Sequence, residues 1–101
     1  MSNRLKLHDI LKNVLGSNNV YFQPPESVKI NYPCIIYKRT SADTSFANNQ
    51  PYINKRRYQI TVIDANPDSL IPEKIKLLPM CVYDRHYTSN NLNHDIFNIY
   101  F

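Results

Sequence analysis

Leu7, Ile10, Leu11, Val14 and Leu15 recur at i, i+3, i+4, i+7 and i+8, which sets apolar side chains along one face of a helix. The spacing predicts a helix over about Arg4 to Leu15. Asn3 can cap its start, and Gly16 stands where a left-handed residue would end it. Lys6, His8, Asp9, Lys12 and Asn13 then face solvent. After the turn Ser17-Asn18-Asn19 comes a short extended piece, Val20-Tyr21-Phe22, followed by Pro24 and Pro25, which offer no backbone donors. Cys34 to Thr40 is rich in strand formers and starts after Pro33, a position where proline is tolerated. Residues 42–52 are polar and end in Asn48-Asn49-Gln50-Pro51, as expected of a long loop.

Arg56 to Asp64 is the strongest strand. Tyr58, Ile60 and Val62 alternate with Arg57, Gln59, Thr61 and Ile63, giving one core face and one mixed face. Asn66-Pro67-Asp68-Ser69 is a turn. Leu70, Ile71, Lys74, Ile75, Leu77 and Leu78 then return to helical spacing, with Pro72 in the first turn and Pro79 as the stop, so a second helix is predicted over about Ile71 to Leu78. Cys81 to Thr88 and His94 to Phe101 form two further strands joined by the polar stretch Ser89 to Asn93. In the last strand Ile96, Asn98 and Tyr100 alternate with Phe97, Ile99 and Phe101, so aromatics lie on both faces and one face is expected to meet another surface. The pattern predicts a single α+β domain over 1–101, in the order α-β-β-β-α-β-β. Its sheet is mainly antiparallel, both helices lie on one face, and a loop protrudes at about 42–54.

Composition narrows the class without naming a function. The chain has 101 residues, with 12 Lys and Arg against 8 Asp and Glu, a net charge of +4, and 20% charged residues. That is neither a polyelectrolyte nor a disordered tail. No apolar run approaches the ~20 residues that span a bilayer, so no membrane role is expected. Cys34 and Cys81 do not make the disulfide framework typical of small secreted domains, and the first residues carry charges within their apolar pattern, so folding inside a cell is expected.

Each candidate for chemistry has a plainer alternative. His86 and His94 flank the last hairpin and, as cross-strand neighbours with Asp84 and Asp95, could hold Zn²⁺ or Mn²⁺; without H-x-H spacing they are surface residues instead. Cys34 and Cys81 are either reactive thiols or small buried hydrophobes. Asp64, Asp68, Glu73 and Lys74 bring a nuclease to mind, but the spacing lacks the carboxylate-x-lysine tripeptide, and Asp68 and Glu73 suit a turn and a helix start. The one glycine excludes a Gly-rich phosphate loop. No catalytic residue, metal or cofactor is expected. The basic patch is Lys38, Arg39, Lys55, Arg56 and Arg57, brought together if their strands pair. It can contact phosphate, pair with acids on a neighbouring subunit, or stay solvated. In the 42–54 loop Phe46 is an apolar anchor within a polar arm, which suits docking, with Asn48, Asn49 and Tyr52 beside it.

The run Asn19 to Val28, the segment Tyr32-Pro33-Cys34-Ile35-Ile36-Tyr37, Tyr58 to Asp64 with Asn66 to Ser69, and Asp84-Arg85-His86-Tyr87 together resemble the small tail-completion or tail-terminator proteins of long, non-contractile-tailed bacteriophages. The likeness covers nearly the whole chain and rests on no single motif. It implies a structural protein and not an enzyme: a homo-oligomeric ring, commonly a hexamer, that caps the tail tube and meets the head connector. Its partners would be itself, the tube protein and the head-completion protein. It would reside in the virion after assembly in the host cytoplasm, with DNA only in transit through its channel. The arm at 42–54 together with Phe97, Ile99 and Phe101 would make the subunit contacts. The alternative is a small basic nucleic-acid-binding module, favoured by the cation clusters.

Overall fold

The computed structural model describes residues 3–40 and 56–101. They form an α+β domain with a mixed five-stranded sheet and two helices. The elements are α1 (Asn3–Leu15), β1 (Val20–Phe22), β2 (Cys34–Arg39), β3 (Arg57–Asp64), α2 (Ile71–Lys76), β4 (Cys81–Ser89) and β5 (Leu92–Tyr100). Their order across the sheet is β1-β2-β3-β5-β4. β1 runs parallel to β2, and the other neighbours are antiparallel.

Local chemistry sets the element ends. The Gly16 N–H donates to the Lys12 carbonyl at 2.8 Å with φ of 81°, so the glycine closes α1 in the left-handed region. The Asp64 carboxylate accepts from Asn66 N–H at 2.9 Å, the Asn66 side chain accepts from Asp68 N–H at 3.0 Å, and Ser69 Oγ accepts from Ile71 N–H at 3.3 Å. This chain of side-chain turns delivers β3 into α2. α2 is shorter than its spacing predicts: Leu77 and Leu78 close it through three-residue bonds to Lys74 and Ile75, and Leu77 is 83% exposed. The β4–β5 hairpin is tighter than expected. Asn90 and Asn91 take φ of 53° and 63°, the pair of left-handed residues a two-residue turn needs, and asparagine tolerates them. Asp84 is the extra residue of a bulge in β4, where the register shifts between Tyr83 and Arg85.

The core follows from strand alternation. Val20, Ile35, Tyr37, Tyr58, Ile60, Val62, Phe97 and Ile99 form one buried cluster with Leu7 and Leu11 of α1 and Ile75 of α2. The register places Ile60 between Tyr37 and Phe97, so the strands stack apolar rows across the sheet. Cys34, Ile63 and Ile96 have the opposite parity, yet they too are buried, so β2, β3 and β5 are apolar on both faces toward the Asp64 end of β3. Phe97 and Ile99 are 0% and 1% exposed. The expectation that they meet another subunit is therefore corrected: their side chains are consumed by the domain's own core.

Leu11 is fully buried. Leu11→Ala leaves a cavity beneath α1 and is expected to cost about 2–5 kcal/mol of stability. A denaturant titration measures this as a lower midpoint with unchanged slope; a change under ~0.5 kcal/mol contradicts the packing described.

Candidate functional site

The pairing register divides the basic patch. Arg39 lies opposite Tyr58, and Lys38 opposite Gln59. Side chains alternate along each strand, so Arg39 and Arg56 project on the face of Tyr37 and Tyr58, while Lys38 and Arg57 project on the other. Of the five residues expected to cluster, the four described ones thus divide into two pairs on opposite sides of the sheet. Lys55 lies outside the described residues, as do Phe46, Asn48, Asn49 and Tyr52.

On the Tyr37 side the structure forms a pocket of about 490 Å³ lined by Asn3, Arg4, Phe22, Arg39, Arg56, Tyr58 and Phe101. The floor is aromatic, made by Phe22 and Tyr58, which both pack on the buried Tyr37: Phe22 and Tyr37 have ring centroids 4.9 Å apart, and Tyr37 meets Tyr58 edge-on at 6.1 Å. Arg4 comes from the first turn of α1, and its guanidinium lies 4.5 Å from the centre of the Phe22 ring. Backbone bonds fix the rim. Thr40 N–H donates to the Arg57 carbonyl at 2.9 Å, and Phe101 N–H donates to the Arg56 carbonyl at 2.9 Å. Gln23 Oε1 accepts from the Arg39 N–H at 3.1 Å, tying β2 to the end of β1. Among the described residues the ion pair is Arg85 with Asp84, at 3.2 Å, so no described carboxylate neutralises the pocket arginines.

Sequence spacing missed Arg4 and Phe22 as parts of this site. Arg4 lies more than thirty residues before the other arginines, and only the packing of α1 brings it to them. The signal available was parity: Arg39 and Arg56 share the strand face of Tyr37 and Tyr58.

Behind the pocket, Tyr37 is wholly buried and its hydroxyl is shared. Arg4 donates to it at 3.4 Å, and it lies 2.8 Å from His8 Nδ1. We assign the Tyr37 O–H as donor to Nδ1 of neutral His8, which uses the donor and acceptor each group has. The expectation that His8 faces solvent is corrected: it is half-buried on this hydroxyl. Burial, followed by Lys12 and Arg4, lowers its pKa from the ordinary 6.5, with Asp9 opposing.

The remaining candidates are dispersed. His86 pairs across the strands with Asp95, and Tyr87 with His94, so the two histidines have opposite parity. His94 stacks on Tyr87 at 4.5 Å, and His86 Nε2 lies 3.2 Å from Asn93 Oδ1. Among the described residues no three His, Cys, Asp or Glu side chains gather as metal ligands. Cys34 and Cys81 are free, on strands separated by β3 and β5, and burial pushes each thiol up to about 11. Asp64, Asp68 and Glu73 occupy the β3–α2 turn and the start of α2. No helix among the described residues is long and apolar enough to cross a membrane.

β4 is the other exposed feature. It is an edge strand of the sheet, and every residue after Cys81 is exposed, including Val82 (63%), Tyr83 and Tyr87. Leu77 and Leu70 add exposed apolar area on the elements leading to it. Searches by sequence and by structure find no matching family model, no matching characterised protein and no matching solved structure.

The neutral form of His8 is favoured by the fold, so the native state binds fewer protons than the unfolded chain below pH 6.5. Stability attributable to His8 is complete above that pH and declines as pH falls through it. An NMR titration is expected to place the His8 pKa under 6.5 and to show it rising in Lys12→Met. A His8 titrating at or above 6.5 contradicts the arrangement.

Proposed function

We propose that this chain is a structural assembly protein that forms a homo-oligomeric ring at a phage head–tail junction, capping the tail tube and meeting the head connector. It makes and breaks no covalent bond, resides in the virion, and is a tail-completion or tail-terminator protein of the kind its sequence resembles. The observation that carries the self-association part is β4. A nine-residue edge strand with open backbone groups and exposed Val82, Tyr83 and Tyr87 is a template for another chain. The bulge at Asp84 and the charged Asp84–Arg85 pair interrupt this edge, which limits indiscriminate pairing. A ring needs unlike patches on one subunit, and closure then sets its size. The reading also takes both helices to cover the sheet face of Ile35, Ile60 and Phe97, in the order α-β-β-β-α-β-β, leaving the opposite face for the tube or the connector. The 42–54 arm, which carries Phe46, is taken as a second contact.

Size-exclusion chromatography with light scattering tests the assembly directly. The wild type is expected to form a closed oligomer, alone or on tail tubes. Val82→Lys with Tyr87→Lys is expected to leave a folded monomer, and deletion of Ser45–Asn49 to weaken assembly without unfolding the domain. A wild type that is monomeric at every concentration and ignores tail tubes overturns the proposal.

The second reading, a small nucleic-acid-binding module, draws support from the Arg4–Arg39–Arg56 pocket and its aromatic floor. A salt titration separates the two. Phosphate contacts would make DNA affinity fall steeply with salt and Arg56→Ala would flatten the slope; the assembly reading expects no such steep, arginine-dependent affinity.

A further inference from the structure

The geometry points to a specific occupant for the arginine pocket: the acidic turn Asp64–Glu73 of a second copy of this chain. This inference rests on the self-association proposed above and names one of its contacts.

Three observations combine. The pocket gathers Arg4, Arg39 and Arg56 over Phe22, Tyr58 and Phe101, with no carboxylate among its described lining residues. Guanidinium groups pair with carboxylates in two-pronged fashion, and the aromatic walls accept an apolar side chain. The segment from Asp64 to Glu73 holds Asp64, Asp68 and Glu73 and no cation. Leu70, within it, is 62% exposed, and Asp68 and Glu73 are exposed without an ion-pair partner among the described residues. The turn therefore offers what the pocket would take: carboxylates beside one apolar side chain.

The third observation is placement. The pocket lies at the Arg57 end of β3 and the turn at its Asp64 end, separated by seven residue steps, roughly 23 Å at the usual strand rise. One molecule cannot fill its own pocket with its own turn. Seating one copy's turn in the next copy's pocket repeats head to tail, and it joins two unlike patches, as ring closure requires. A polynucleotide fits less well, because the cations of this end are divided between the two sheet faces and do not form a continuous track; Lys38 and Arg57 lie on the side away from the pocket.

A charge-swap experiment on the full chain tests this. One variant carries Arg39→Glu and Arg56→Glu; the other carries Asp68→Lys and Glu73→Lys. All four positions are exposed, and circular dichroism checks that each variant keeps the native fold. Light scattering across a concentration series is expected to show each variant alone needing about tenfold more protein, or beyond, to assemble. An equal mixture is expected to recover assembly, because each basic turn then meets an acidic pocket and each acidic turn a basic one. Lys38→Glu, on the opposite face, is expected to assemble as the wild type does. If either swapped variant assembles normally, or if the mixture fails to recover, this contact is wrong while the ring reading stands. A wild type that never self-associates removes the ring reading and this contact with it. Short single-stranded DNA that binds the wild type at physiological salt, and is lost in the Arg39→Glu, Arg56→Glu variant, assigns the pocket to phosphate and overturns the inference.

Discussion

A phenol buried in a sheet must find partners for its hydroxyl in whatever packs against that sheet, or its burial costs more than it returns. Tyr37 is wholly buried, and its oxygen is met by His8 and Arg4, both from α1. That bond set does two things at once. It fixes the first turns of α1 over β2, and it brings Arg4 to the mouth of the pocket. The rings of Phe22 and Tyr58 then flank Tyr37 across neighbouring strands and complete the pocket floor. Docking of the helix and construction of the pocket are therefore one event.

The sheet gives the molecule two unlike ends. At the Arg57 end of β3 the chain presents the arginine pocket, the ends of β1 and β2, and Phe101. At the Asp64 end it presents the acidic turn. Along one side runs the exposed β4 edge, while β1, the opposite edge, is three residues long. Such an object has directionality in charge and in hydrogen-bonding capacity. Unlike patches on one subunit permit head-to-tail contacts, and head-to-tail contacts whose rotation closes make rings. Electrostatic matching of this kind sets partner choice and register more than it sets raw affinity.

Much of the architecture was legible in the residues because its signals are local. The heptad-like spacing of Leu7, Leu11 and Val14, the alternation of Tyr58, Ile60 and Val62, and the turn residues Asn66 to Ser69 each report on a few neighbouring positions. What escaped depends on contacts distant in sequence. His8 reads as a polar-face residue until Tyr37 is placed beneath it. Phe97 and Ile99 read as available aromatic and aliphatic surface until β5 is placed between β3 and β4, where both are buried. Lys38, Arg39, Arg56 and Arg57 read as one patch because sequence shows proximity along the chain, whereas strand parity sends neighbours to opposite faces. Arg4 belongs to the pocket only through the docking of α1. The parallel β1–β2 pair was likewise hidden, since residues 23–33 must loop back before β2 can run alongside β1.

Negative-stain microscopy of the purified protein, alone and mixed with tail tubes, tests the central claim most directly. Closed rings of uniform diameter, free or seated on tube ends, are the predicted outcome. Isolated monomers, or two-fold dimers joined edge to edge with bare tube ends, would contradict it.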